Sequence, residues 1–173
     1  MTVWRAVGLG LCAVLVALAA WTGRASPAPG PGLPPASAAA GAAVSAPVDP
    51  PGPLGVLAAW DRRRSAAWST GDAEALRAIY LPGSRAGWAD VRLLRQYAAA
   101  GTRVRRLTTQ VFAVSVLERS PGRLRLRVVD RVAGGEAVRA GRVRPLPSGP
   151  VVTRTVELLR RPGGWRVGAV REG

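Results

Sequence analysis

The feature that most constrains this chain is a change of hydrophobic period at Gly101. Before it, apolar residues recur every three to four positions. Val56, Leu57, Trp60, Ala67 and Trp68 predict an amphipathic helix over Leu54 to Ser69, with Asp61, Arg62, Ser65 and Ser69 on its outer side. Gly71 stops that helix, Asp72 caps a second one and Glu74 sits in its first turn, where the helix dipole favours a carboxylate. Leu76, Ile79 and Tyr80 line one side of the second helix, which Pro82-Gly83 ends. A third helix is expected from about Arg85 or Trp88 to Ala100, carrying Val91, Leu94 and Ala98 on one side, with Ser84 as its N-cap.

After Gly101 the period becomes two and β-branched residues dominate. Strands are expected over Val104 to Glu118, Arg123 to Val132, Val151 to Arg161 and Trp165 to Arg171, with a weaker one around Glu136 to Val143. Ser120-Pro121-Gly122 and Pro162-Gly163-Gly164 supply tight turns between neighbouring strands. Helices and strands that are segregated in this way specify an α+β domain: three N-terminal helices packed on a curved antiparallel β-sheet.

That domain occupies residues 54–173. Residues 25–53 hold nine of the chain's fifteen prolines, one charge (Asp49) and no aromatic residue, so they cannot build a core and read as an extended Pro/Ala/Gly-rich linker. Residues 1–24 read as a signal-anchor or signal peptide: the apolar run from Ala6 to Trp21 lies between Arg5 and Arg24, and Trp4 and Trp21 bracket it as interfacial aromatics do. The expected location is therefore the cell membrane, single-pass with the C-terminal domain outside the cytoplasm. The alternative is secretion after cleavage near Ala17-Leu18-Ala19.

Composition removes several chemistries. All 25 basic residues are arginines, set against 10 acidic ones, for a net charge of +15. With no Lys, that excess follows the bias of G+C-rich codons, and a nucleic-acid partner is not expected. There is no His, hence no histidine general base, Ser-His pair or histidine metal site. The single cysteine, Cys12, excludes an intramolecular disulfide and a thiolate metal site from the domain. No metal and no cofactor is expected.

The order helix, "AWSTGDAEALRAIY", helix, then hairpins ending in "RRPGGWRVGAVRE" resembles the NTF2-like (cystatin-like, SnoaL-type) superfamily. More narrowly, "YLPGSRAGWADVRLLRQY" followed by "RVRRLTTQVFAVSVLERSPGRLRLRVVDR" is similar to a group of N-terminally membrane-anchored actinobacterial proteins. The resemblance implies a cone in which helices and the concave sheet face enclose a pocket, and it implies face-to-face pairing of two copies as a homodimer. It does not imply one activity, because the same fold hosts isomerases, dehydratases, cyclases and non-catalytic binders.

Strand parity selects the candidate pocket residues. Leu124, Leu126, Val128 and Val132 share one face with Asp130, an unusual place for a carboxylate. Arg64, on the apolar arc of the first helix, is the expected partner of Asp130; Tyr80, Thr108 and Gln110 complete the expected polar lining. The expected function is non-catalytic binding of a small apolar ligand or an envelope protein partner. Two alternatives stand beside it: a pocket enzyme of isomerase, dehydratase or cyclase type using Asp130 and Tyr80, and adhesion to anionic lipid or cell-wall polymer through Arg125, Arg127 and Arg131 on the outer sheet face.

Overall fold

The computed structural model describes residues 52–173. Three helices come first: α1 (Pro53–Thr70), α2 (Ala73–Ala78) and α3 (Arg85–Ala99). Each boundary has a local cause. Pro53 opens α1, where a missing N–H costs nothing, and Gly71 closes it in the left-handed conformation. The Asp72 side chain accepts from the backbone N–H groups of Glu74 and Ala75, and the Ser84 hydroxyl accepts from that of Gly87.

Five strands follow: β1 (Thr102–Arg119), β2 (Arg123–Arg139), β3 (Arg142–Leu146), β4 (Val152–Arg161) and β5 (Gly164–Glu172). They form one antiparallel sheet. β1 runs along one side of β2; the first half of β2 pairs with β4 on its other side, its second half with β3, and β5 lies beyond β4. The weaker strand expected around residues 136–143 is instead the bend of a hairpin. Ala140 and Gly141 both have positive φ, 47° and 75°, the geometry of a tight two-residue turn between β2 and β3.

Two expectations are corrected. The sheet is not rolled into a cone: its path β1-β2-β4-β5 is open, with no pairing between β1 and β5. The outer edge of β5 is spent on the end of α2 instead, because Val167 donates to the Ile79 carbonyl and accepts from the Leu81 N–H. That contact caps an edge that would otherwise template pairing with another chain. The expected transmembrane helix is likewise not found, since no helix among the described residues is long and apolar enough to cross a membrane. The segment to which it was assigned, residues 1–24, lies outside the described residues, as does nearly all of the expected linker.

The core lies between the helices and one sheet face. Leu124, Leu126 and Val128 from β2, Val156 and Leu158 from β4 and Val167 from β5 meet Leu57, Trp60 and Trp68 from α1 and Leu76, Val91 and Leu94 from α2 and α3. Aromatic edges lock the helices further: Trp60 stands edge-on to Tyr80 (centroids 5.6 Å apart, planes at 86°), and Trp68 edge-on to Tyr97 (5.8 Å, 83°).

One helical glycine is set by packing. An added Cβ at Gly87 would stand 2.5 Å from Cγ of Tyr80, whose hydroxyl is itself held by Asp90. Gly to Ala in a helix usually stabilises by about 1 kcal/mol; here overpacking reverses the sign. Gly87→Ala is expected to destabilise the domain by about 1–3 kcal/mol in urea titration, and a neutral or stabilising result would show that the ring can yield.

Candidate functional site

Two polar clusters sit inside the apolar core, and they differ in how completely they are satisfied. The first centres on Asp90 of α3. Arg64 of α1 grips its carboxylate with two hydrogen bonds, Nε to Oδ2 at 2.7 Å and Nη2 to Oδ1 at 2.8 Å. Trp68 Nε1 donates to Oδ1 at 3.1 Å and the Tyr80 hydroxyl to Oδ2 at 2.8 Å. Four donors fill the four lone-pair positions of an ionised carboxylate. Burial and the neighbouring Asp90 charge push the Tyr80 hydroxyl well above its ordinary pKa, so it stays a neutral donor. The cluster is closed and buried, with nothing left over to offer a ligand.

The second cluster lies where α1 crosses β1, β2 and β4. Asp130 is only 3% exposed. Its Oδ2 accepts from both Nε and Nη2 of Arg154 on β4, while Oδ1 is buried with no hydrogen-bond partner. Asp61, one turn before Arg64 on α1, accepts from the Thr109 hydroxyl at 3.1 Å. Burial raises the Asp61 pKa above the ordinary carboxylate value, against the opposing pull of Arg64, the Thr109 hydrogen bond and Arg154, and with Asp130 adding to the rise. These groups and Arg62 line a cavity of ≈ 200 Å³ whose remaining wall is apolar, formed by Leu57, Trp60, Val111, Val156 and Val170 among others.

The expected site residues are thus divided between different places. Asp130 does point inward, but its arginine is Arg154, and Arg64 belongs to Asp90. Tyr80 also belongs to Asp90, so the Tyr80–Asp130 pair is not assembled. Thr108 and Gln110 face outward: the Thr108 hydroxyl donates to the Gly134 carbonyl, and the Gln110 side-chain oxygen accepts from Arg131 Nε at 3.0 Å. The reason is a bulge. Register shifts between Arg105 and Thr109, with Arg106 at φ 52°, turn the inward face from Val104 to Leu107 and Thr109; a second shift between Val111 and Ala113 turns Val114 back in.

On the outer sheet face, Arg125 lies 3.7 Å from Glu118, Arg131 stacks over Phe112 and is held by Gln110, and Arg127 is exposed. The stripe is therefore partly neutralised and partly tied down. Among the described residues no group of three or more His, Cys, Asp or Glu is placed to hold a metal ion.

Asp90 and Thr109 are not singled out in the sequence, whereas Asp61 is expected on the outer side of the first helix and Arg154 near the exposed basic stripe; the structure turns both toward the cavity. Two of these four carry a readable signal. Asp90 falls between Gly87 and Leu94 at helical spacing, on the same arc as Val91, and Arg154 has the parity of Val156 and Leu158. Thr109 has none, because the bulge that turns it inward rests on an arginine in the left-handed region, not on a glycine.

No protein-family model and no curated protein matches the sequence. Solved structures with a similar course of the chain include Aln2 from a Streptomyces species (17% identity, 70% of this chain and 91% of that one, TM-score 0.48). An NTF2-like protein from Rhodospirillum rubrum, described as of unknown function in nutrient uptake, is 18% identical over 68% of this chain and 96% of its own, with a TM-score of 0.43. A Catenulispora acidiphila structure in complex with S-DNPA is 12% identical over 69% and 90%, with a TM-score of 0.44. At such identities and scores, none of them bears on the chemistry of this chain.

Removal of the Asp90 carboxylate leaves the Arg64 guanidinium buried and uncompensated. Asp90→Ala is expected to cost about 3–5 kcal/mol, whereas Tyr80→Phe, which removes one of four donors, is expected to cost about 1–3 kcal/mol; denaturant titration gives the order. Asp61 predicts a pH dependence. Its folded pKa lies above its unfolded one, so folding takes up a proton between the two values, and ionised Asp61 works against stability at higher pH. Asp61→Asn keeps an acceptor for Thr109 and removes the charge. Its stability relative to the parent is expected to rise between about pH 3 and about pH 7; a gap that is constant or shrinks over that range would sink this account.

Proposed function

We propose that residues 54–173 form an NTF2-like, non-catalytic binding domain that takes a small, uncharged, largely apolar molecule with a hydrogen-bond donor at one end. The observation that carries this reading is the buried Asp130 carboxylate on the cavity wall, whose Oδ1 has no hydrogen-bond partner. An unmet acceptor at that depth carries a free-energy cost of about 1–3 kcal/mol, and a donor on a bound molecule removes it. Charge balance supports an uncharged occupant: the cavity is lined by two carboxylates, Asp61 and Asp130, and two guanidiniums, Arg62 and Arg154. Size supports a small one, since ≈ 200 Å³ is below the range of about 300–1,000 Å³ for drug-sized ligands. The apolar wall, with the Trp60 ring in it, accepts the hydrocarbon body. Action outside the cytoplasm is part of this reading and rests on the sequence of residues 1–24 alone.

A catalytic use of the pocket has one observation in its favour, the raised pKa of Asp61, and would rest on Asp61 beside Asp130 instead of on Tyr80. In the binding reading, that carboxyl only adjusts the polarity of the cavity mouth.

The test compares para-cresol with toluene, which share a ring and differ in the donor. Titration followed by backbone NMR is expected to perturb the cavity lining and to show para-cresol binding about tenfold tighter than toluene, one good hydrogen bond's worth of selectivity. Asp130→Asn, which turns a second donor on the site, is expected to erase that preference while the amide spectrum stays native. Equal binding of the two probes by the parent protein, or perturbations outside the cavity, would overturn the proposal.

A further inference from the structure

A second concavity, which shares no lining residue with the Asp130 cavity, lies between α2, the start of α3 and β5. Its volume is ≈ 670 Å³, within the range of about 300–1,000 Å³ for small-molecule sites. Five arginines line it (Arg77, Arg85, Arg92, Arg95 and Arg166) against a single carboxylate, Glu74. Glu74 is already committed: it pairs with Arg77 and lies 3.9 Å from Arg95. Arg85 and Arg166 face the groove with no carboxylate partner among the described residues, and Arg92 stacks on the Trp88 ring, 4.7 Å from its centroid. Trp88 is 66% exposed, the most exposed large hydrophobic side chain in the described residues.

We infer that this groove binds a soluble organic phosphate carrying two or more negative charges. Four uncompensated positive charges around one concavity repel one another, and a multiply charged anion relieves that repulsion. Guanidinium groups match phosphate oxygens with paired, charge-assisted hydrogen bonds. The start of α3 lines the groove and has no acidic residue in its first turn, so the positive end of the helix dipole adds to the arginines. The exposed Trp88, already held by Arg92, supplies a flat apolar surface for the organic part. The concave shape favours a soluble ligand that enters over a lipid surface, which would have to reach arginines set around a depression.

Composition alone cannot place this charge. The chain is rich in arginine throughout, yet on the outer sheet face Glu118 and Glu157 lie beside Arg123 and Arg125. The groove differs in gathering five arginines around one carboxylate.

The experiment uses the full chain and pyrophosphate, with calorimetry for affinity and tryptophan fluorescence for location. Saturable binding with one site per chain is expected, weakened about tenfold or more in Arg85→Gln/Arg166→Gln and little changed in Arg119→Gln/Arg127→Gln, which removes the same charge elsewhere. Trp88→Phe is expected to remove the fluorescence response without unfolding the protein. Equal weakening in the two double variants would reduce the effect to net charge and overturn the inference, as would the absence of saturable binding. Capture by phosphatidylglycerol vesicles without pyrophosphate binding would also overturn it.

Discussion

The arrangement of this domain depends on the ion pair between Arg64 and Asp90. Both side chains are almost fully buried, and taking two charges out of water costs several kcal/mol per ion unless every polar atom around them is met. The requirement is met by side chains from three separate places: Arg64 and Trp68 from α1, Tyr80 from the residues after α2, and Asp90 from α3. Satisfying one carboxylate therefore fixes the relative position of all three helices. Hydrophobic burial alone would leave them freer, because apolar contacts tolerate sliding and a four-donor carboxylate does not. The same tyrosine then sets the sequence at Gly87, where only a residue without a Cβ lets α3 approach the ring.

Fixing α1 also fixes what it presents to the sheet. Asp61 is one turn from Arg64 and meets Thr109 on β1; Ser65 meets the Leu107 carbonyl at 2.7 Å. Both contacts exist only because β1 is bulged at Arg106, which turns Leu107 and Thr109 toward the helix. Arg106 is not idle in that strained position: its guanidinium reaches Glu136 on β2 at 2.8 Å, a pair that is exposed and therefore weak by itself. The bulge is thus held mainly from below, by the helix it serves. It also opens the strand beyond it, so that Val111 reaches the cavity wall and Phe112 turns out under Arg131.

The three helices, their caps and four of the strands are legible in the sequence, because periods of 3.6 and 2 and the Gly, Asp, Ser and Pro punctuation are local signals. Asp130 is legible for the same reason: its inward position is plain parity along "LRLRVVDRV". Partner identity is not local. Arg64 and Arg154 both lie on inward arcs, and nothing in the chain before folding says which carboxylate each will meet. Register decides it, since β4 runs beside β2 with Val128 opposite Arg154, while α1 crosses α3 at Asp90. The misassigned faces of Thr108 and Gln110 have a different origin. A bulge at glycine announces itself, and one at arginine does not, so parity carried past Arg106 comes out inverted. The open sheet was hidden for a related reason: the edge of β5 is closed by Ile79 and Leu81, residues whose sequence only says that a helix is ending.

The two buried carboxylates differ in how completely the core satisfies them. Asp90 receives four donors and is fully used in holding helices together; a ligand would have nothing to gain there. Asp130 lies on the cavity wall and receives its donors from Arg154 on one oxygen only; the other has no partner. Thr109 already sits on the same cavity wall, but its hydroxyl goes to Asp61. The core thus satisfies one carboxylate completely and leaves the other half-met, and the cost of that unmet oxygen is what the proposed binding reading rests on.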